Sequence, residues 1–420
     1  MGDIRVDVVA TGFDFPTSVV LDDQGVVYVA ESGLAFAGAK PGGRVWRVGT
    51  AGDRELMIGG LRPPVNGIAA HGGQLYLSEG GHPQRISRLD QSGTLSTVLE
   101  GLPGPGNYQL NMVAVGPDGK LYFSQGAMTN TGIVGLDAYE LGWLRRLPHA
   151  HDVPGYDVVL GESNVETPDP LAGSTDARTT TGAFSPFGEP APAGRRLVGQ
   201  VPATAAVMRC HPDGSDLELV AWGLRNAYGL RFLPDGRLLV TDQGPDDRGS
   251  RPVGNAPDLL FEVRPGAWYG WPDFIGGDPV TDPAYTPTRG APPRFVLANH
   301  AELPPPERPV TRFPPHTAAV KLDVAPEATP WPGHLVVALF GDEAPMTAPS
   351  GPRVGRSLVR VDPSGWSIHP LLRGPLRRPI DVCFDPAGSL YVVDFGKFEM
   401  SEGGVEAQPG TGALLRVEVG

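Results

Sequence analysis

Acidic and amide side chains recur at matching places in a pattern that repeats six times along this chain of 420 residues. The residues that open the copies are Thr17, Asn66, Asn111, Asn226, His316 and Arg378. The residues that close them are Glu31, Glu79, Gln125, Asp242, Asp342 and Asp394. Carboxylates gathered in a water-poor place repel one another, and a hard cation such as Ca²⁺ relieves that repulsion. The pattern predicts a cation site where these ends meet, with solvated, hydrogen-bonded strand ends as the alternative.

The repeated unit predicts a β-hairpin, in which two apolar runs flank a turn that contains glycine. Residues 110–126 and 378–396 are clear copies. Most hairpins are followed by two further apolar runs, so each unit supplies four strands. Four strands repeated six times indicate an all-β fold, the six-bladed β-propeller. One mouth of its central channel is the expected site for a small-molecule substrate.

The two ends of the chain are predicted to share one blade. Residues 413–419 resemble a third strand without a fourth, and residues 4–10 resemble the fourth strands of other blades. Pairing of these segments would close the ring and remove open sheet edges. The chain is then one domain, with a loop insertion at about 128–200 and a proline-rich loop at about 273–315. Both loops are expected to cover one face.

Composition excludes several classes of protein. The net formal charge is −13 without a basic patch, which argues against a nucleic-acid partner. No apolar stretch approaches the roughly 20 residues of a membrane span, and no signal-peptide core follows Met1. Cys210 and Cys383 form neither a disulfide framework nor a zinc motif, and buried free thiols are expected. The sequence as it stands predicts a cytoplasmic protein, or a periplasmic or secreted one if a leader was removed.

Three short motifs in the fourth repeat carry more specific information. They are G-L-R-N at residues 223–226, D-Q-G-P at 242–245 and Y-G-W-P at 269–272. With this combination the chain resembles the quinoprotein glucose/sorbosone dehydrogenases, and the stretch 378–396 is similar to that family too. The resemblance implies a soluble six-bladed propeller that uses pyrroloquinoline quinone (PQQ) and Ca²⁺ to oxidise sugars or alcohols.

The resemblance implies roles for the residues that match the family's motifs. The cofactor-binding candidates are Arg225, Asn226, Gln243 and Arg378. Arginine suits the carboxylates of the quinone because it forms bidentate, charge-assisted hydrogen bonds. The metal candidates are the backbone carbonyls of Gly244 and Pro245, with Glu79 and Asp242 on the same channel face. Asp258 matches an acid that orients the catalytic base.

Two departures from the family concern the redox chemistry. Tyr108 stands where the family has a catalytic histidine, and a phenol with an ordinary pKa of about 10 is a poor base at neutral pH. Ile380 replaces the second of two arginines in blade six, and no counterpart of a quinone-contacting lysine is found near residues 339–342. The scaffold and the metal turn are therefore expected to be retained while the redox machinery is incomplete.

Two histidines are candidates to replace the missing base. His316 opens an innermost strand and is expected to point into the channel. His151 belongs to the run P-H-A-H-D at residues 148–152, which could place a base or a metal ligand over the mouth, although a histidine on a surface loop is the alternative. The catalytic candidates are thus Tyr108, Asp258, His316 and His151.

Three functions stay open at this point. The first is a PQQ- and Ca²⁺-dependent sugar dehydrogenase whose activity is altered or lost. The second is a metal-dependent enzyme without redox chemistry, such as a lactonase, an isomerase or a cyclase, in which the ion polarises a carbonyl. The third is a ligand-binding propeller without catalysis. Fold resemblance alone does not decide among them when the catalytic residue is replaced.

Overall fold

The computed structural model describes residues 4–401 and 404–419, which form a six-bladed β-propeller, as the repeats predict. In each blade four strands pair antiparallel in a meander that starts at the channel. The first strand of every blade contacts the first strands of the two neighbouring blades, so the six sheets surround a central channel. None of the helices in the described ranges combines the length and the hydropathy of a membrane-crossing segment.

The strands of each blade are given from the channel outward. Blade one comprises Pro16–Leu21, Val27–Glu31, Gly43–Val48 and Arg54–Leu61. Blade two comprises Val65–His71, Gln74–Glu79, Gln84–Leu89 and Leu95–Leu102. Blade three comprises Leu110–Val115, Leu121–Gln125, Ala206–Cys210, Glu218–Trp222 and a short parallel fifth strand, Ala267–Trp268. Blade four comprises Ala227–Phe232, Leu238–Asp242, Asp258–Val263 and Thr311–Phe313. Blade five comprises Ala319–Val324, Leu335–Leu339, Ser357–Asp362 and Ser367–Arg373. Blade six comprises Pro379–Phe384, Leu390–Asp394, Gly412–Val419 and Ile4–Phe13.

Smaller elements lie in the connections between these strands. The α-helix is Leu136–Glu140, and the 3₁₀ turns are Phe36–Gly38 and Pro283–Tyr285. The paired short strands are Val158–Val159 with Arg196–Leu197, Asn164–Pro168 with Arg178–Gly182, Phe274–Ile275 with Asp278–Pro279, and Phe398–Ser401 with Gly404–Ala407.

The ring closes as predicted, because the N-terminal strand is the outermost strand of blade six. Ile4 pairs with Val419 and Arg5 pairs with Glu418, in antiparallel register. The expectation for the two cysteines is also confirmed, since Cys210 and Cys383 are buried free thiols.

The hairpin of blade three shows why these sequences form strands and turns. Leu121–Gln125 is buried along its whole length, because both of its faces pack against protein. Its first three residues, 121–123, form a continuous apolar run, as in strands that are buried on both sides. The preceding turn ends at Gly119, whose φ of +76° is accessible to glycine without strain.

Polar side chains on the two innermost strands of the blades join each blade to the next around the channel. Each donates a hydrogen bond to an adjacent blade, and most of the acceptors are backbone carbonyls. In ring order the pairs are Thr17 with Val65 O, Asn66 with Leu110 O, Asn111 with Ala227 O, Thr241 with Val320 O, Lys321 with Asp381, and Ser18 with Asp381. Three residues that the repeats single out, Thr17, Asn66 and Asn111, thus hold the ring together.

Lys321 lies inside the channel and is 1% exposed. Its ammonium group donates to Thr17 O at 2.7 Å and to Asn66 O at 2.6 Å, and lies 3.3 Å from Asp381 Oδ2. Burial lowers the pKa of Lys321, and the Asp381 carboxylate opposes that shift. One side chain of blade five therefore connects blades one, two and six.

We expect Lys321→Met to lower the free energy of unfolding by about 3–5 kcal/mol, because it leaves a buried carboxylate without its cation. Chemical denaturation monitored by tryptophan fluorescence measures the loss. Adding Asp381→Asn removes the stranded charge and should recover part of the stability. A double variant no more stable than Lys321→Met would show that the ion pair is not the cause.

Candidate functional site

A cavity of about 390 Å³ lies where the inner strands begin, at one mouth of the channel. Blades two to four, with their loops, supply a polar wall of amide side chains: Asn66, Asn107, Gln109, Asn111, Asn226 and Gln243. Blades one, five and six supply an aromatic wall: Phe36, Phe340, Phe395 and Phe398. The cavity is therefore amphipathic, which suits a small molecule with one apolar face and several polar groups.

Most of the site residues expected from the sequence meet in this cavity. Those that line it are Tyr108, Asp258, His316, Arg225, Asn226, Gln243, Gly244 and Pro245. Four expected residues are not among the lining residues: His151, Arg378, Glu79 and Asp242.

Arg225 belongs to the polar wall but is only 2% exposed, and every N–H group of its guanidinium is bonded to protein atoms. Nη1 donates to the carbonyls of Gln243 and Gly244, at 3.1 and 2.6 Å. Nε donates to Asn130 O at 3.2 Å, and Nη2 donates to Asn130 Oδ1 at 2.8 Å and to Asp246 Oδ2 at 2.7 Å. A guanidinium has five N–H groups, so none is left to hold the carboxylates of a quinone.

Tyr108 is bonded to the same cluster. Its hydroxyl donates to Asp246 Oδ2 at 3.0 Å, accepts from Nη2 of Arg248 at 3.3 Å, and shares Nη2 of Arg225 with the other two acceptors of that nitrogen. Its ring lies 4.2 Å from the guanidinium carbon of Arg225, a cation–π contact. The phenol therefore pairs with two arginines and a carboxylate at the position where the resemblance places a base.

The glycine and tryptophan of the fourth-blade motifs build the surroundings of Arg225. A Cβ atom on Gly244 would lie 2.4 Å from Pro257 O, so only glycine lets this turn pack against the next strand. The indole of Trp271 donates to Asn130 O at 3.1 Å, and Arg225 donates to the same carbonyl. The motifs that carry the resemblance thus fix the position of this arginine.

Asp258 contacts the backbone beside His316 rather than a catalytic base. Its carboxylate accepts from the amides of Gly244 and Ala319, at 3.1 and 2.8 Å, and from the Thr317 hydroxyl at 3.3 Å. Burial raises the pKa of Asp258 to about 6. This residue therefore joins blades four and five at the cavity, and its carboxylate is not bonded to Tyr108 in the structure.

His316 lines the cavity, half-buried, but it does not begin an innermost strand as expected. The strand begins at Ala319, and the backbone turns sharply before it, with a φ of +64° at His316 and +47° at Ala318. The imidazole therefore reaches the cavity from a loop that Asp258 anchors.

The expected convergence of carboxylates is wrong. In the described ranges, no three His, Cys, Asp or Glu side chains are placed to share an ion. Four of the closing acids instead accept a backbone N–H from the segment that enters their own blade: Glu31 from Asp14, Glu79 from Arg62, Asp242 from Asn226, and Asp394 from Arg377. Gln125 donates to Gly126 O, and Asp342 accepts from Val354 N. These side chains satisfy local backbone groups, which explains why they recur.

Glu79 and Asp242, the two carboxylates expected near the metal turn, are both held in this way. Glu79 is 0% exposed and also binds Arg85, at 2.9 Å, and Ser87. The Gly244 carbonyl, an expected Ca²⁺ ligand, accepts from Arg225 at 2.6 Å. Because this carbonyl is bonded to a cationic side chain and both carboxylates are bonded elsewhere, the residues present do not fit a calcium ion at this turn.

Arg378 and His151 lie outside the cavity, against expectation. Arg378 is 1% exposed and donates to Asp342 O at 2.7 Å, to Phe398 O at 3.0 Å and to Glu399 at 3.0 Å. His151 bonds through Nδ1 to Asp152 O at 2.8 Å. Because Arg225 and Arg378 are bonded within the protein and Ile380 lines the cavity, the residues present do not fit a quinone with three carboxylates.

The insertion at 128–200 contributes Leu141 to the cavity lining, whereas none of the described residues at 273–315 lines it. The two loops pack against each other instead: Leu160 and Leu297 form a β-bridge, and the Gly161 amide donates to Val296 O at 2.8 Å. Their role as covers of one face stays a prediction.

Sequence reasoning missed several lining residues. Asp246 and Arg248 follow the D-Q-G-P motif within three residues, so the sequence could have indicated that they lie near the site. Glu343 closes the fifth repeat after a turn, and nothing in the repeat marks it as a lining residue. The aromatic wall comes from segments far apart in sequence, and no spacing indicates that it forms.

Comparison with known proteins finds similarity to sugar dehydrogenases. No family model matches the chain. Quinoprotein glucose dehydrogenase B of Acinetobacter calcoaceticus is 25% identical over 179 residues, which cover 43% of this chain and 29% of that protein. The chain thus matches less than a third of the length of this curated relative.

Three solved structures are similar over nearly the whole chain. The PQQ-bound aldose sugar dehydrogenase of Streptomyces coelicolor is 19% identical with a TM-score of 0.59, covering 100% of this chain and 99% of that one. The holo PQQ domain of pyranose dehydrogenase from Coprinopsis cinerea is 14% identical with a TM-score of 0.59, covering 100% and 96%. The calcium structure of a Trichoderma reesei carbohydrate-active enzyme is 15% identical with a TM-score of 0.60, covering 100% and 97%.

These structures show that the chain has the propeller fold of PQQ-binding sugar dehydrogenases. Within that class, the resemblance to the quinoprotein glucose and aldose sugar dehydrogenases, which the motifs predict, is confirmed.

Stability should depend on pH through Asp242. Burial raises the pKa of this carboxyl to about 7, although the Asn226 amide and Arg225 oppose the shift. An unfolded aspartate has a pKa of about 3.9, so the folded state holds a proton that the unfolded state has lost. This favours folding at acidic pH, and the advantage disappears as the pH rises through about 7.

Asp242→Asn cannot ionise, and it keeps an acceptor oxygen. We expect the difference in free energy of unfolding between this variant and wild type to shift in favour of the variant by at least about 1 kcal/mol as the pH rises from about 5 to about 8. Denaturation curves at the two pH values measure the difference. Asp23→Asn, in an exposed loop, is the matched control. A difference that does not change with pH would contradict the raised pKa.

Proposed function

We propose that this protein binds a small molecule in its channel-mouth cavity and that PQQ-dependent aldose oxidation is weak or absent. The observation that carries the proposal is the bonding of Tyr108 to Arg225, Arg248 and Asp246. In the family that the chain resembles, the matching positions supply a base and a quinone clamp. Here the position of the base holds the phenol of Tyr108, and the arginine of the clamp, Arg225, is bonded within the protein.

The chemistry of sugar oxidation supports this proposal. Abstraction of a hydride needs a base that takes the proton of the reacting hydroxyl, and such a base must lie within hydrogen-bond reach. The Tyr108 hydroxyl donates its own proton to Asp246 at 3.0 Å. The buried Asp258 carboxylate is shared among two amides and a hydroxyl. Neither group is arranged to accept a proton from a bound sugar.

A dye-reduction assay with glucose, PQQ and Ca²⁺ tests the proposal. We expect wild type to fall about 10²- to 10⁴-fold below the rate of a quinoprotein sugar dehydrogenase assayed in parallel, which is the usual cost of losing a general base. Tyr108→His combined with Ile380→Arg restores the base and the second arginine, and should raise the rate. Tyr108→Phe combined with Ile380→Arg is the matched control that cannot accept a proton. Robust turnover by wild type would refute the proposal.

A second candidate function rests on His316. This imidazole lines the cavity, and the structure shows no hydrogen bond between it and another described residue. It is therefore the group best placed to replace the missing base in an altered dehydrogenase. Robust wild-type turnover that disappears in His316→Gln but not in His151→Gln would favour this alternative, because His151 lies outside the cavity.

The metal-dependent alternative requires a bound ion, and chelation tests it. Because Arg225 bonds to the Gly244 carbonyl at 2.6 Å, we expect exhaustive EDTA treatment to leave the melting temperature unchanged within error. Adding back Ca²⁺ should also have no effect. A fall in melting temperature that only Ca²⁺ reverses would show that this propeller holds a structural or catalytic ion.

A further inference from the structure

The carboxylate of Glu343 lines the cavity and has no partner in the described part of the chain. It is half-buried, no hydrogen bond is recorded to either oxygen, and no Lys, Arg or His nitrogen lies within 4.0 Å. The other two acidic side chains of the lining are satisfied, Asp246 by two arginines and Tyr108, and Asp258 by two amides and a hydroxyl. A carboxylate left open in a cavity favours a ligand that donates to it.

The charges around Glu343 are balanced. Arg378 and Arg248 act to lower its pKa, Asp246 and Asp342 act to raise it, and burial is the largest effect and raises it. Arg378 donates to Glu399 at 3.0 Å, and Arg248 lies 3.1 Å from Asp246, so both arginines are committed to other acids. The Glu343 carboxyl group is therefore left without a cation of its own among the described residues.

The aromatic wall lines the same cavity as this carboxylate. Phe340, three residues before Glu343, has its ring centre 5.5 Å from that of Phe395, and the Phe395 ring lies 5.5 Å from Phe398. Phe36 extends the wall, 5.4 Å from Phe398. Such a surface packs against a flat or apolar ring, and the faces of its rings also attract cations.

We propose that the cavity binds a small cationic molecule that combines an amine with an aromatic or apolar ring. Glu343 holds the amine, the phenylalanine wall packs against the ring, and the amides of the opposite wall bind further polar groups. This ligand class rests on the proposed function, because it assigns the same cavity to a ligand other than the quinone.

Three probes of nearly equal shape test the charge preference: phenethylamine, phenethyl alcohol and phenylpropionate. Isothermal titration of the full chain at about pH 8, where an ordinary histidine is neutral, measures each affinity. We expect the amine to bind at least about tenfold more tightly than the alcohol, and the carboxylate to bind most weakly, as a charge-assisted hydrogen bond implies. Glu343→Gln should remove the advantage of the amine and leave the alcohol unchanged. Glu302→Gln, in an exposed loop, is the matched control.

The outcomes separate the two proposals. Equal binding of amine and alcohol, tightest binding of the carboxylate, or no binding of any probe would overturn the cationic ligand. The wild-type ranking needs no variant, so it decides the matter even if Glu343→Gln fails to fold. The proposed function fails separately, if PQQ binds in the same titration and supports turnover. Equal binding of the amine and the alcohol, unchanged in Glu343→Gln and without quinone turnover, would keep the small-molecule site and reject the amine.

Discussion

The ammonium group of Lys321 is the contact on which the geometry of the cavity depends most. It donates to the carbonyls of Thr17 and Asn66, and both of these residues also line the cavity. Tyr228, another lining residue, has its ring 5.9 Å from the same nitrogen. A backbone carbonyl that faces a channel has no partner strand there, so a side chain must supply its hydrogen bond. One buried cation does this for two blades and thereby fixes the floor of the site.

Arg225 plays the corresponding role on the polar wall. Its guanidinium connects the insertion after the second strand of blade three to the turn after the second strand of blade four, through Asn130 and Gly244. An arginine bonded in this way makes the wall rigid. It cannot serve at the same time as a free cation for an anionic cofactor, because every N–H is already donated. The same residue that carries the family resemblance therefore also marks the difference in chemistry.

The repeats were sufficient to predict the fold, because apolar periodicity and turn glycines are local properties that the propeller preserves. They predicted the six blades and the pairing of residues 4–10 with 413–419. They did not predict the short fifth strand Ala267–Trp268, because it has no counterpart in the repeated unit. Several site residues were also predictable, because the fourth-blade motifs place Arg225 and Gly244 beside the channel. The hydrogen-bond partners of these groups were not predictable, because a sequence does not show which donor satisfies which acceptor across blades.

The recurring acids illustrate that limit. Glu31 and Asp394 were correctly recognised as equivalent positions, yet equivalence arises as readily from a shared backbone requirement as from a shared ligand. The cavity residue Glu343 shows the reverse case, because its significance comes from having no partner, which only the fold reveals. The aromatic wall joins rings from blades one, five and six, and their proximity depends on closure of the whole ring.

The strand that closes the ring has a consequence for how the protein forms. Ile4 and Val419 are partners, so the sixth sheet gains its outermost strand only when segments from opposite ends of the described chain have met. Contacts between such distant segments slow folding, because the intervening chain must be ordered before they form. During synthesis on the ribosome, the first strand emerges long before its partner and waits unpaired. Its exposed edge includes Val8, which is 63% exposed even in the folded protein. This interval is the stage at which nascent chains would associate edge to edge, and at which a chaperone would have most to protect.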